Sequence, residues 1–490
     1  MIKKHFSLKL KARIKRAAVY LVFIFLIGHV SAQDVSLDKK LGAENAIRVE
    51  QEMGIYHHDS LYQLVNAVGK KLVSRLKKNQ FDFKFFLIDS PEPNAFALPG
   101  GYIYVTRGIL PIIETEDELA GIMAHEIIHV MQRHSVKQMK KGVLTGLLTI
   151  PGNLINSVTG TNLGNIVNAP IKLTTGAFIA KYSRGHEAES DKFGIQLAAS
   201  AGYKTDALAD ALEPLAKEME LITGEVEQHS YFSDHPFTPS RITAIRGSAS
   251  TIKPVNPSPI TSSKEIFLKN FNGLCYGLNP EQGIFIDSLF VQPDLGCSWI
   301  TPGGWEAINK PSVVAAYEKK GEAIVAMLLA DNKKSVTAIG GEAKAKAQKT
   351  KGVTIVSAGD TIINSFPAYI LKLRSVENNQ VLQSEIIWLA FKDLVLQLVG
   401  AGTPALNNEI HQSLCTIRKV TQEEMQQLKL YELHVVRARA NENIEKLSQR
   451  IGNKLNPAMT AVINSRKGNT SFQEGESVKI VKASPYQPKR

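Results

Sequence analysis

The sequence predicts a protein of the α+β class, with a mainly helical first domain that carries an edge strand and two smaller α/β units after it. Apolar side chains recur every three or four positions through residues 34–80, which indicates amphipathic helices. A Pro-Gly-Gly turn leads into a short strand at residues 102–106. From residue 265 onward, short apolar runs typical of strands alternate with helical stretches.

The composition is that of an ordinary globular protein. The chain has 490 residues, of which 44% are hydrophobic and 21% charged, so wholesale disorder, a collagen-like chain and a coiled coil are excluded. Its length suggests about three domains. The cysteines, Cys275, Cys297 and Cys415, are too few for a disulfide scaffold and do not have the spacing of a thiolate metal site.

The net charge of +12 does not indicate nucleic-acid binding, because it is concentrated at one end of the sequence. Residues 1–32 hold seven basic residues and no acidic one, and the remainder has a net charge of +5. An apolar run at 17–27 is followed by Val30-Ser31-Ala32, with small residues at the cleavage positions. We therefore predict a signal peptide at 1–32 and export to a bacterial periplasm, with an uncleaved, membrane-associated anchor as the alternative.

Changes in composition divide the rest of the chain. A stretch rich in proline, serine and threonine at 251–264 is predicted to link a main domain at 33–250 to an α/β accessory domain at 265–420. A small βααβ unit is predicted at 430–483. This unit weakly resembles LysM, a fold often used on peptidoglycan, and a plain structural cap is the alternative.

The most informative segment is Ala-His-Glu-Ile-Ile-His at residues 124–129. Acidic residues just before it open a helix that is predicted to run to about Lys140. His125 and His129 are then one turn apart on one face, so both rings can bind the same metal ion, with Glu126 beside it. This is the HExxH arrangement of zinc metalloproteases. Apolar neighbours indicate that this helix is buried, and buried histidines with a glutamate need a partner such as a cation.

A catalytic zinc ion needs a third protein ligand and one position left for water. The candidates are His134, His186, Glu187, Glu189, Asp191 and His235. His134 would lie on the opposite face of the HExxH helix, so we exclude it as a ligand. Glu187 and Asp191 are four positions apart on a second predicted helix. Glu187 can therefore bind the metal, while Asp191 accepts a hydrogen bond from a ligand histidine. Glu189 is expected to point away, as a solvated charge or in a local ion pair.

Three segments occur in an order found in one enzyme family. They are Asn-Ala-Phe-Ala-Leu-Pro-Gly-Gly from Asn94, Glu-Leu-Ala-Gly-Ile-Met-Ala-His-Glu-Ile-Ile-His from Glu118, and Tyr-Ser-Arg-Gly-His-Glu-Ala-Glu-Ser-Asp from Tyr182. Over residues 40–245 the chain resembles the CAAX prenyl endopeptidase-type zinc metallopeptidases (HtpX- and BepA-like), in their soluble exported bacterial branch. The resemblance implies a zincin-like metallopeptidase domain at 33–250, one zinc ion per chain and Glu187 as the third ligand.

The family also has a His-Pro segment followed by an arginine, which His235-Pro236 and Arg241 resemble. By this resemblance, His235 is a regulatory plug on the open zinc position and Arg241 is a catalytic cation. A structured loop end with a surface ion pair is the alternative. Ser190 stands where the family usually has alanine, which is a small change.

The resemblance implies peptide hydrolysis by metal-assisted attack of water. Zinc held by His125, His129 and Glu187 would lower the pKa of its water toward about 7 and polarise the scissile carbonyl. Glu126 would take the proton from that water and later deliver it to the leaving amine.

The predicted edge strand, with Tyr102, Ile103 and Tyr104, would bind an extended peptide through main-chain hydrogen bonds, which favours unfolded substrates. We therefore expect an exported zinc endopeptidase that hydrolyses unfolded or misassembled envelope proteins as part of protein quality control. Outer-membrane assembly machinery or peptidoglycan are expected partners, and nucleic acid is not. The alternatives are a latent protease that acts as a chaperone and a peptidoglycan-associated binding protein.

Overall fold

The computed structural model describes residues 35–141, 182–223, 231–236, 239–330, 333–377, 380–466 and 470–489. Helices and strands are mixed through these ranges, which confirms the α+β class. The signal peptide predicted at 1–32 lies outside the described residues. Within them, no helix combines the length and the apolar character that crossing a membrane requires.

The described chain begins with two helices and a small mixed sheet. The helices are α1 (Ser36–Met53) and α2 (Asp59–Val73), and the strands are β1 (Lys84–Ile88), β2 (Ala95–Leu98) and β3 (Tyr102–Thr106). Strand β3 pairs parallel with β1 and antiparallel with β2. The buried face of α2 repeats at the helical spacing that the sequence predicts.

Strand β3 is the central strand of this sheet, so the predicted edge strand at Tyr102, Ile103 and Tyr104 is wrong. Ile103 and Tyr104 are fully buried, and both sides of β3 are paired. The reason is the turn before it, where Gly100 and Gly101 have positive φ and fold β2 back onto β3. The edge strand on that side is β2, whose Ala-Phe-Ala-Leu sequence lacks the β-branched residues that would mark a strand.

Helices then surround the HExxH segment. They are α3 (Glu116–Met131), α4 (His134–Lys141), α5 (Arg184–Ser200), α6 (Ala207–Thr223), α7 (Tyr231–Asp234), α8 (Pro239–Ala249) and α9 (Lys264–Lys269). Helix α3 starts after Thr115, whose side chain accepts a hydrogen bond from Glu118 N. It is buried along most of its length and packs against α5, where Gly194 lets the two backbones approach at His125.

Helix α3 ends at Met131, so the predicted continuation to Lys140 is wrong. Arg133 adopts a left-handed backbone conformation with φ of 57°, which interrupts the helix before His134 begins α4. The Arg133 guanidinium donates to Asp38 of α1, with Nε 3.0 Å from Oδ1. This distant ion pair supports the break, and no local sequence pattern reveals it.

The rest of the described chain forms sheets with a few helices. The strands are β4 (Leu274–Cys275), β5 (Ile284–Ile286), β6 (Leu289–Gln292), β7 (Cys297–Ile300), β8 (Glu306–Lys310), β9 (Val313–Tyr317), β10 (Ala323–Ala330), β11 (Val353–Ile363), β12 (Phe366–Glu377), β13 (Gln380–Phe391), β14 (Leu394–Gly402), β15 (Arg418–Lys419), β16 (Lys429–Arg437) and β17 (Ser477–Pro485). The helices are α10 (Val336–Lys349), α11 (Asn407–Leu414), α12 (Gln422–Gln427), α13 (Ile444–Ile451) and α14 (Pro457–Ile463). Short 3-10 helices lie at Leu110–Ile112, Pro280–Gln282 and Pro404–Leu406.

The strands assemble into three antiparallel sheets in this part of the described structure. A seven-stranded sheet has the order β11-β12-β13-β14-β10-β9-β8, and α10 packs on one of its faces. A four-stranded sheet has the order β15-β7-β6-β5, and a three-stranded sheet has the order β17-β16-β4. The apolar faces of the seven-stranded sheet form two separate cores.

Residues 430–483 contain strand, helix, helix and strand, as β16, α13, α14 and β17. Strands β16 and β17 pair antiparallel, and β16 also pairs with β4. Leu433 of β16 and Ile463 of α14 belong to the same core as the helices around α3. This unit therefore packs against the helical domain. Its resemblance to LysM stays a prediction.

The predicted linker at 251–264 is fastened to the start of α3. The carboxylate of Glu116 accepts hydrogen bonds from Ile260 N at 2.8 Å, from Thr261 N at 2.7 Å and from the Tyr203 hydroxyl at 2.9 Å. These contacts fix the position of the segment relative to the HExxH helix. The predicted domain bounds themselves stay a prediction.

One lysine of β17 is buried against the helical domain. Lys479 is 0% exposed, its ammonium donates to Pro111 O at 2.7 Å and to Ile113 O at 2.8 Å, and it forms an ion pair with Glu114 Oε1 at 2.7 Å. Burial lowers the pKa of Lys479, and Glu114 opposes that effect. Because Pro111, Ile113 and Glu114 lie directly before α3, strand β17 anchors the entry to the HExxH helix.

Glu218 of α6 is a buried carboxyl near the same lysine. Burial raises the pKa of Glu218 to about 8, against the opposing influence of Lys479. A carboxyl that holds its proton more tightly in the folded state than in the unfolded state weakens folding as pH rises between its two pKa values. Glu218 is therefore a source of instability at neutral pH.

Replacing Glu218 by glutamine should stabilise the protein at neutral pH. The free energy of unfolding should rise by about 3 kcal/mol at pH 7 and by less than about 1 kcal/mol at pH 5. Urea unfolding of both proteins at the two pH values measures this difference. The exposed Glu220 of the same helix is the matched control, and its glutamine variant should change neither value. A gain for Glu218→Gln that is equal at both pH values would contradict the explanation.

Candidate metal centre

Three elements bring the candidate ligands together. Helix α3 carries His125, Glu126 and His129, helix α5 carries Glu187, and His235 follows directly after α7. All five side chains are almost completely shielded from solvent. Since buried ionisable groups need partners, their concentration at one place indicates a functional site.

The nitrogen and oxygen donors converge on one point. His125 Nε2 lies 2.9 Å from His129 Nε2 and 3.3 Å from His235 Nδ1. Glu187 Oε1 lies 3.4 Å from His129 Nε2 and 3.2 Å from His235 Nδ1. All four residues offer ligand atoms within 4.8 Å of one another. Donors placed about 2.0–2.1 Å from a tetrahedral zinc ion would be about 3.3 Å apart. The residues present therefore fit zinc, with three nitrogens and one carboxylate oxygen.

Asp191 orients the first of the histidines. Its Oδ1 lies 2.9 Å from His125 Nδ1, the ring nitrogen that faces away from the convergence point. Although burial alone would raise the pKa of Asp191, Arg241 and His125 hold it below its usual value. Asp191 therefore stays ionised and accepts the Nδ1 hydrogen of His125, which leaves Nε2 with a lone pair for a metal.

Arg241 of α8 lies in the site and is fully engaged with carboxylates. Its Nε and Nη2 donate to the two oxygens of Asp191 at 2.9 and 2.8 Å, in a bidentate pair. Its Nη1 lies 2.8 Å from Glu187 Oε2. The guanidinium therefore holds Glu187 and Asp191 in place. The role of Arg241 as a catalytic cation stays a prediction.

Glu126 lies beside the converging donors. Burial raises the pKa of Glu126 to about 7, against the opposing influence of His235 and His125. Its Oε1 lies 3.4 Å from His235 Nε2, and neither carboxylate oxygen has a hydrogen-bond partner among the described residues. A carboxyl with a pKa near neutrality suits proton transfer at physiological pH.

Comparison with known families gives a match that covers the whole site. The model for Peptidase family M48 matches residues 60–249, which include every side chain of the candidate metal centre. Residues 60–249 are a peptidase family M48 domain. The sequence resemblance to this kind of zinc metallopeptidase is confirmed, and the domain is a metallopeptidase domain.

Curated relatives are similar to this chain over less than half of its length. The β-barrel assembly-enhancing protease of Yersinia pestis is 26% identical over 255 residues, which are 49% of this chain and 51% of that protein. Mitochondrial metalloendopeptidase OMA1 of Schizosaccharomyces pombe is 29% identical over 220 residues, which are 43% of this chain and 61% of that protein. The matches thus span about half the length of the first of these relatives. Among solved structures, cyanobacterial PsbP of Synechocystis sp. PCC 6803 matches 28% of this chain and 95% of that chain at 13% identity. Its TM-score of 0.22 carries no argument about the fold.

The segment before β2 holds His235 in the M48 site. Tyr231 N donates to Pro93 O at 3.0 Å, and Asn94 Nδ2 donates to Asp234 Oδ2 at 3.1 Å. His235 N donates to Tyr231 O at 2.9 Å, and the two rings stack with centroids 4.3 Å apart. The stacked tyrosine and the anchored turn therefore fix the direction of the His235 ring.

Sequence reasoning did not assign several residues of the M48 site a role. The Tyr182 ring stacks on His129 with centroids 3.7 Å apart, and Tyr231 stacks on His235. His134 is not one of the converging donors, so its exclusion as a ligand agrees with the structure, but its Nδ1 lies 3.0 Å from His129 Nδ1. The opposite-face argument for His134 is wrong, because the break at Arg133 turns its ring toward His129. The one sequence signal for the contact between His134 and His129 is their spacing of five positions.

Proposed function

We propose that this protein is an exported zinc-dependent endopeptidase that hydrolyses peptide bonds in unfolded or misassembled envelope proteins. The observation that carries the proposal is the convergence of His125, His129 and Glu187 beside the buried carboxyl of Glu126. The relatives named β-barrel assembly-enhancing protease support a role in envelope quality control, with outer-membrane assembly machinery as the kind of partner. Export to the periplasm is part of the same proposal.

The residues of the site have different roles in the proposed reaction. A bound zinc ion would supply a water of lowered pKa and polarise the scissile carbonyl. Glu126 takes the proton of the attacking water and delivers it to the amine that leaves. Arg241 and Asp191 hold Glu187 and His125 in position, so that the donors need little rearrangement.

Substrate binding is assigned to β2 in place of β3. Strand β2 (Ala95–Leu98) is an edge strand of the small sheet and packs against α3, which carries Glu126. Because all four residues of β2 are buried in this arrangement, an extended peptide would form main-chain hydrogen bonds with β2 only after the strand's free edge is uncovered. This mode of binding makes few demands on side chains and suits unfolded clients.

The described arrangement has the character of a latent enzyme. His125, His129, Glu187 and His235 offer four donors close to one another, whereas a catalytic zinc site has three protein ligands and keeps one position open. We propose that His235 is a plug that substrate binding or another signal withdraws. A latent protease that binds clients as a chaperone is the second candidate function, and the same closed donor set favours it.

Replacing His235 by alanine should activate the enzyme. With stoichiometric zinc, the rate of casein cleavage should rise at least tenfold, which corresponds to about 1.4 kcal/mol of lost plug stabilisation. Release of labelled casein fragments measures the rate. His434→Ala, on β16, serves as a control histidine away from the site and should cleave at the parent rate. If neither the parent nor His235→Ala cleaves casein although both contain zinc, the endopeptidase proposal fails.

A further inference from the structure

We infer that His134 and Glu189 are positioning residues that orient His129 through a hydrogen-bonded chain. This inference rests on the proposed zinc site, because it concerns the ring that would present a donor to the metal. It assigns a role to a histidine and a glutamate that are outside the converging donors. His134 and Glu189 act on His129 in the way that Asp191 acts on His125.

The chain runs from the centre of the site to the surface. His129 Nδ1 lies 3.0 Å from His134 Nδ1, and His134 Nε2 lies 3.1 Å from Glu189 Oε2. The side chain of His134 is 0% exposed, whereas that of Glu189 is 37% exposed. Glu189 therefore keeps contact with water while it accepts a hydrogen bond from a fully buried ring.

Only one arrangement of hydrogens satisfies every contact in this chain. If His129 presents the lone pair of Nε2 to the metal, its Nδ1 carries the hydrogen and must donate. His134 Nδ1 then accepts, so the hydrogen of the neutral His134 ring is on Nε2 and is donated to Glu189. An ionised carboxylate only accepts, which makes Glu189 the natural end of the chain. The carboxylate thereby selects the tautomer of both rings and increases the basicity of His129.

Helix α5 carries three carboxylates that contribute to the proposed metal site, one as a ligand and two as partners of the ligand histidines. Glu187 is itself a donor, Asp191 bonds directly to His125, and Glu189 reaches His129 through His134. The intermediate ring is in place because α3 ends before Arg133 and α4 begins at His134. The three acidic residues of α5 therefore act together to fix the orientation of the metal donors.

Two neighbours hold the His134 ring in this orientation. The His186 ring stacks on it with centroids 4.3 Å apart and an angle of 11° between the planes. The Ser190 hydroxyl lies 3.3 Å from His134 Nδ1 and can donate to the same acceptor atom. The Ser190 side chain therefore lies beside the His134 nitrogen that faces His129 and limits movement of the ring.

The test is the zinc affinity of variants, measured by competition with a chromogenic chelator, together with the visible spectrum of the cobalt-substituted proteins. His134→Phe keeps a planar ring and should weaken zinc binding about 10- to 100-fold, as loss of a partner of a ligand histidine typically does. Glu189→Ala should weaken it about tenfold, whereas Glu189→Gln, whose amide oxygen still accepts, should lose less. The cobalt spectrum should shift in the same order.

The matched control is Glu213→Gln, because Glu213 is 41% exposed and pairs with Arg246 on the surface. It should leave zinc affinity and the spectrum unchanged. Glu189→Ala and Glu189→Gln keep the inference testable if His134→Phe fails to fold, since Glu189 lies partly in solvent. Parent-like affinity and spectra in folded His134→Phe and Glu189→Ala would overturn the positioning role.

The outcome separates this inference from the proposed function. If the parent binds zinc and the variants show the expected order, the positioning role holds whether or not casein is cleaved. If the parent binds zinc and cleaves casein while the variants match it in affinity, the chain through His134 is wrong and the endopeptidase proposal stands. If the parent takes up no zinc, both are overturned.

Discussion

Replacing Glu126 by glutamine should abolish proteolysis while leaving zinc content unchanged. Glutamine has nearly the shape of glutamate, but its amide cannot take a proton from water and return it to the leaving amine. Removal of a general base or acid typically lowers a rate about 10²- to 10⁴-fold. Since Glu126 is not among the converging donors, the donor set should remain complete. Casein cleavage by His235→Ala with and without Glu126→Gln measures the effect in an unplugged protein.

The same variant separates the two candidate functions. An endopeptidase loses its cellular role with Glu126→Gln, whereas a chaperone that binds clients keeps it. Zinc content, determined by atomic absorption, serves as the control that the metal site is intact. Cleavage by the double variant within about tenfold of His235→Ala would show that Glu126 is not the base, because that loss is below the range for general acid–base catalysis.

Replacing Lys479 by alanine should lower the free energy of unfolding by about 3–5 kcal/mol, the range found when one partner of a buried ion pair is removed. Its ammonium is fully buried, and it neutralises Glu114 and satisfies two backbone carbonyls before α3. Without the lysine, these acceptors lose their donor, and Lys264 is the one remaining cation paired with Glu114 among the described residues. Urea or thermal unfolding at pH 7 measures the loss.

Three further variants, Lys482→Ala, Glu114→Gln and the double variant Glu114→Gln/Lys479→Ala, make this prediction specific. Lys482→Ala removes an exposed lysine from the same strand and should stay within about 0.5 kcal/mol of the parent. Glu114→Gln combined with Lys479→Ala should be more stable than the sum of the two single losses, because the uncompensated carboxylate is gone. Losses that add without coupling would show that the pair contributes packing and not charge.

The short-range spacing of α3 and α5 made most of the candidate site predictable. His125 and His129 are one helical turn apart, as are Glu187 and Asp191, and such pairs share a face in any helix. The site also requires α3 and α5 to approach closely, and Gly194 allows this at His125. A single sequence gives no signal of that contact.

Features that depend on distant contacts could not be predicted. The end of α3 rests on an ion pair between Arg133 and Asp38, 95 positions apart, so a helical pattern alone continues too far. The position of β3 within its sheet depends on pairing with both β1 and β2, whereas alternation along one strand reports only that it is a strand. Both wrong predictions depend on contacts with residues that are distant in the sequence, and a local pattern does not show such contacts.

The burial of Lys479 has a consequence for the order in which parts of the protein fold. Its contacts join positions 366 residues apart, so they form only after the intervening chain has been synthesised. Until then, the entry to the HExxH helix lacks its internal counter-ion, and Glu114 stands among buried acceptors without its main partner. The entry to helix α3 therefore gains its buried counter-ion only when β17 has folded against it.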